Sequence, residues 1–163
     1  MELTQKIRFS TVAQAIDLTP KAFRNWLQRY ELHLVSDHKT KGWTDFALAD
    51  VAVLALTREM VRWGVGVEAA NKHAYDYLVL CAGPLFQYRS APPEALLALL
   101  DGRQFCVAYR PGTEDLYLFA EPLRQEQPVT QTDFEAALWV TPMLVVSDAF
   151  DRIPGHRERR ADR

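Results

Sequence analysis

The sequence predicts an α+β protein: a helical unit over residues 1–83, then a smaller α+β unit over 84–155 that carries a β-hairpin. Three observations predict it. Residues 9–80 hold four stretches whose apolar side chains recur at helical spacing. Two β-prone runs, 104–109 and 116–120, flank a turn with Pro111-Gly112. Breaker clusters at Cys81-Ala82-Gly83-Pro84 and at Ser90 to Pro93 set the boundary between the two units.

In chain order, Ser10 is the expected N-cap of a first helix over Thr11 to Ile16, with Val12, Ala13 and Ile16 on one apolar face. Asp17-Leu18-Thr19 is a short break. Thr19-Pro20 then supplies an N-cap followed by proline at the first helical position, where the missing amide costs nothing. The second helix spans 20–29; Phe23, Trp26 and Leu27 form its inner face, and Lys21, Arg24, Asn25 and Gln28 point elsewhere. Leu34-Val35 and Trp43 to Phe46 are β-prone and enclose Ser36 to Gly42, a polar stretch with Lys39 and Lys41, which predicts a two-stranded wing with a basic tip. A third helix follows from Leu48 to Trp63, closed by Gly64, and a fourth from Val67 to Leu80. Further on, the sequence predicts a short helix over Glu94 to Leu100, the hairpin, a helix from Thr132 to Leu138, a strand over Met143 to Val146, and a helical turn from Asp148 to Ile153. The basic tail 156–163 is expected to be disordered.

The 163 residues are 48% hydrophobic and 25% charged, with a formal net charge of −2, so the molecule as a whole is no general polyanion binder. The charge is unevenly spread. From Lys21 to Phe46 the cations Lys21, Arg24, Arg29, Lys39 and Lys41 face only Glu31, Asp37 and Asp45, whereas the stretch from Asp101 to Asp151 is strongly acidic. Such a pairing lowers unspecific adhesion to phosphates while leaving one basic face. The two cysteines, Cys81 and Cys106, have no partner at metal-ligating spacing and read as ordinary reduced thiols. No apolar run approaches the roughly 20 residues that cross a bilayer. The expected location is cytoplasmic, with the nucleoid.

Helix, tight turn, helix, basic wing, helix is the order of a winged helix-turn-helix. The residues resemble the DNA-binding domain of MerR-like regulators over about residues 8 to 80. Thr19, Arg24, Trp26 and Leu32 match the recognition-helix pattern, Gly42, Trp43 and Phe46 the wing, Asp50 the start of the third helix and Gly64-Val65 its end. The chain departs from the pattern at Thr44, where the wing has arginine, and at Ala47, where serine is usual. It also lacks the long dimerisation helix and the metal-sensing cysteines, so neither metal sensing nor a coiled-coil dimer is implied. Phage excisionases and small terminase subunits share a fold compatible with the same residues.

The resemblance implies a sequence-specific, double-stranded-DNA-binding transcriptional regulator, and no enzyme. Helix 20–29 would read the major groove. Arg24 is the leading candidate, because arginine in that place can pair bidentately with guanine or clamp a phosphate. Lys21 and Asn25 share its helix, Gln28 and Arg29 lie toward its end, and Thr19 with its neighbouring amides can hold a phosphate. Lys39 and Lys41 would meet the sugar–phosphate backbone. Trp26 and Trp43 are expected in the core. The alternative is a phage-type architectural, packaging or excision protein that assembles cooperatively on DNA. No cofactor, metal or membrane partner is expected. The aromatic-rich acidic half is expected to form a homodimer or higher homo-oligomer, or to bind a protein or an effector; the residues do not separate these. No nucleophile–base pair, phosphate loop or glycine fingerprint is present.

Overall fold

Helix formation in the N-terminal unit starts from a short strand. In the computed structural model, which describes residues 1–36, 45–87, 91–109, 116–122 and 136–155, Lys6–Arg8 (β1) runs directly into a helix, Phe9–Ala15 (α1). Arg8 is therefore the N-cap residue and Ser10 lies inside the first turn, not at the cap expected for it. β1 pairs antiparallel with Asp45–Ala47 (β2), with Ile7 opposite Phe46 and Arg8 opposite Asp45. Ile7 and Phe46 are buried, and the flanking Lys6, Arg8 and Asp45 are exposed, as a two-residue alternation requires.

α1 ends in a Schellman motif: the Asp17 amide donates to Gln14 O (3.1 Å) and the Leu18 amide to Ala13 O (2.9 Å). Asp17 takes the left-handed conformation this needs, at φ 55°. The turn delivers the chain to Thr19, whose Oγ1 accepts from the Ala22 amide (3.2 Å), and Pro20–Arg29 (α2) follows. Phe23, Trp26 and Leu27 are its buried face, as their spacing predicts.

The next helix, Leu48–Arg62 (α3), is buried at every residue from Leu48 to Thr57 and packs against Val67–Gln87 (α4). Ala47 cannot cap α3 with a side chain. The work falls to other groups: Leu48 N donates to Gln5 O (3.1 Å), Ala49 N to Leu3 O (2.9 Å), and Asp50 Oδ2 accepts from Ala47 N (2.8 Å). α3 ends as α1 does, with Gly64 at φ 96° and the Val65 amide on Met60 O.

α4 does not stop at Leu80. It continues to Gln87 through a kink at Ala82, where φ is −136°, and Pro84 lies beyond the kink. The cluster Cys81-Ala82-Gly83-Pro84 bends the helix instead of ending it. Pro93–Leu100 (α5) follows as expected. Arg103–Tyr109 (β3) and Leu116–Pro122 (β4) form the antiparallel hairpin, whose turn at Pro111-Gly112 lies outside the described residues. Ala136–Val140 (β5) pairs on the other side of β3, giving a three-stranded antiparallel sheet in the order β4-β3-β5.

Two expectations fail here. Residues 136–138, expected to end a helix, are strand, because each finds a backbone partner on β3. Met143 to Val146, expected as a strand, belongs to Pro142–Asp151 (α6). Val146, Ala149, Phe150 and Ile153 recur at helical spacing and are buried, and α6 packs on α1, α3 and α5. The apolar core is continuous across residues 83–84: Leu54 and Leu78 share one cluster with Leu96, Leu100, Val140 and Phe150. The chain is thus a mixed helix-and-strand protein with a small antiparallel sheet.

Candidate nucleic-acid interface

α2 is amphipathic in the strict sense. Opposite its buried face, Lys21, Arg24, Asn25, Gln28 and Arg29 are all exposed, and so is the capping Thr19. The six sequence-predicted residues of this segment therefore lie together on one helix and its cap. Lys39, Lys41 and Trp43, and with them the expected wing tip, lie outside the described residues.

The helix is set in place by aromatic packing. Phe23 is wholly buried and stacks on Phe9 at 4.9 Å between ring centroids, with an interplanar angle of 18°; Phe46 of β2 lies tilted against it at 5.4 Å. The Arg24 guanidinium sits over the Phe9 ring, 5.6 Å from its centroid. Phe9, Arg24, Leu27 and Gln28 line a hollow of about 290 Å³ beside α2.

The segment after α2 is pinned, though not as the strand expected at Leu34-Val35. Two buried polar side chains hold it. Asp50 Oδ1 accepts from the amides of Val35 (2.8 Å) and Ser36 (3.0 Å). Asn71 Oδ1 accepts from His33 N (2.6 Å), while its Nδ2 donates to His33 O (3.3 Å) and to Thr57 Oγ1 (3.4 Å). Asn71 reads the backbone of residue 33 as a strand neighbour would. The backbone on either side of residues 37–44 is thus tied to α3 and α4 by charge-assisted and amide hydrogen bonds.

Electrostatically the face is positive. Among the described residues Lys21, Arg24 and Arg29 of α2 and Arg8 of β1 make no ion pair, whereas Lys6 of β1 pairs with Asp45 at 3.5 Å. Compared with known protein families and with curated proteins, the chain matches none.

Sequence reasoning missed Lys6 and Arg8. Their signal was available: Lys-Ile-Arg is an alternation of charged, apolar, charged just ahead of the first helix. It was too short to register without β2, its partner from a distant part of the sequence. No group of three or more potential metal-ligating side chains gathers among the described residues. No helix among them is long and apolar enough to cross a membrane.

Proposed function

We propose that the chain is a sequence-specific DNA-binding transcriptional regulator with a MerR-like winged helix-turn-helix in its N-terminal half. One observation carries the reading: α2 turns a row of exposed polar side chains outward, and four cations on α2 and β1 have no ion-pair partner among the described residues. An α-helix of this kind fits the major groove, with Arg24, Lys21 and Asn25 toward base edges and Gln28 and Arg29 behind them. Thr19 and the adjacent amides, Arg8, and Lys39 and Lys41 of the wing would meet phosphates, fixing register without reading sequence. A single reader buries a modest interface, so two copies would bind together. The C-terminal half would supply that contact, and its exposed Leu99, Trp139 and Leu144 suit such a role.

The test is to incubate the purified protein with sheared genomic DNA at near-physiological salt, then recover and sequence what it holds. Sharp peaks with a shared motif upstream of genes are expected, with Arg24→Ala losing roughly ten-fold or more of the specific affinity. The same variant should stay folded, losing only about 0.5–1 kcal/mol with its contact to Phe9. Diffuse recovery that vanishes with modest added salt would sink the regulator reading. Many protomers loaded on long sites would instead favour a phage-type architectural protein.

A further inference from the structure

We infer, on the DNA-binding reading above, that Arg24 is held as a reader of guanine and that Phe9 is the residue that positions it. An arginine that clamps phosphate needs little more than charge and reach. Arg24 is built differently. Its guanidinium lies over Phe9, Phe9 stacks on the buried Phe23, and Phe23 packs on the buried Phe46. An aromatic column therefore runs from the core to the surface and ends in a cation. The ring attracts the cation through its quadrupole and restricts where the long side chain can go. The guanidinium donors lie in a planar fork, and among the described residues no carboxylate pairs with them. A planar fork in a fixed place matches O6 and N7 of guanine, the pair of acceptors that guanine presents in the major groove. Gln28, one turn further along α2, and Leu27 line a hollow together with Arg24 and Phe9. Phe9 is at the start of α1, outside the recognition helix, and acts only through Arg24.

The experiment uses the full chain and the duplex recovered from genomic DNA, with each guanine of the motif replaced in turn by 7-deazaguanine, which lacks the N7 acceptor. At one position the parent should lose roughly ten-fold or more in affinity. Phe9→Leu should shrink that preference toward unity while leaving the slope of log affinity against log salt unchanged, since no charge is lost. Arg24→Lys, which leaves the aromatic column intact, should do the same, because a point charge cannot make the bidentate pair. A parent indifferent to 7-deazaguanine at every position, or a Phe9→Leu protein with the full preference, overturns the proposal and leaves DNA binding standing. So does Arg24→Gln if it lowers the salt slope by about 0.9 with the base preference intact, which marks a phosphate contact. A parent that prefers no sequence at all overturns the DNA-reading function itself, and this role for Phe9 with it.

Discussion

α2 and α3 are neighbours in sequence and contribute to one core, yet they are buried in opposite ways. α2 hides three side chains and turns five polar ones outward. α3 is enclosed on all sides from Leu48 to Thr57, with the carboxylate of Asp50 and the hydroxyl of Thr57 inside. A helix buried all round must satisfy its polar groups within the protein. Thr57 Oγ1 donates to Val53 O at 2.8 Å, and Asp50 collects three backbone amides. α2 has no such obligation, so its outer side chains are free to serve a ligand. The difference teaches which residues can be changed without unfolding the chain: those of α2 that present, and not those of α3 and α4 that hold.

The sharpest way to break that comparison lies within α2 itself. Trp26→Ala removes a large buried side chain and should cost about 3–5 kcal/mol, read as a lower urea midpoint at unchanged slope. Gln28→Ala, two residues away on the exposed face, should move stability by no more than about 0.5 kcal/mol. Similar losses for both would mean that the outward face is structural.

Next comes the carboxylate of α3. Asp50→Ala leaves the amides of Val35, Ser36 and Ala47 without their acceptor. Unsatisfied donors cost about 1–3 kcal/mol each when buried, and these are only partly buried, so a loss of roughly 2–4 kcal/mol is expected. Hydrogen exchange at Val35 and Ser36 should also rise well beyond the global change. Exchange that rises evenly along the chain would show that Asp50 does not pin the backbone at Val35 and Ser36.

How far these features could be seen in the sequence depends on how local their causes are. α2 was legible because Thr19, Pro20 and the Phe23–Trp26–Leu27 spacing lie within a few residues of one another. The end of α3 was legible because Gly64 alone supplies the left-handed turn. β1 was not, since three residues become a strand only through pairing with β2. Ser10 is not the cap for the same reason: the strand feeds α1 directly, so the cap falls on Arg8. Met143 to Val146 looks like a strand on apolar content, and becomes helix because Pro142 starts one and its spacing buries Val146 and Phe150 beside α3. In the candidate site, the outward residues of α2 could be listed from periodicity. The aromatic column under Arg24 could not, because it joins α1, α2 and β2.

A smaller effect separates the two roles of Thr19. Its hydroxyl caps α2 and is also a proposed phosphate contact. Thr19→Ala should cost about 1 kcal/mol of stability, as loss of an N-cap does, whereas Thr19→Ser should restore it. Thr19→Gly, which caps almost as well and has no hydroxyl, separates the two: affinity for DNA kept at the parent's level would assign the cap alone, and affinity lost at near-normal stability would assign the hydroxyl to the phosphate. Weak affinity in a serine variant of normal stability would implicate the methyl group in the contact.

The smallest effect is expected on the holding side, at His73 of α4. Burial, and then the cation of the adjacent Lys72, hold its imidazole below the usual value, against an opposing pull from Asp76. The sign follows from proton uptake. Just below the unfolded value of about 6.5 the unfolded chain binds a proton that the folded chain refuses. The stability contributed is therefore complete above that value and is lost as pH falls through the window beneath it. The melting temperature of the parent should drop between pH 7 and pH 5, and His73→Gln, which has no such proton to take up, should drop less. Because the ring is only half buried, solvent screens the effect and the gap between the two curves should be narrow. Curves that fall in parallel would place the acid sensitivity elsewhere in the core. An equal change in DNA affinity in both proteins across the same range would keep α4 on the holding side, separate from the face that α2 presents.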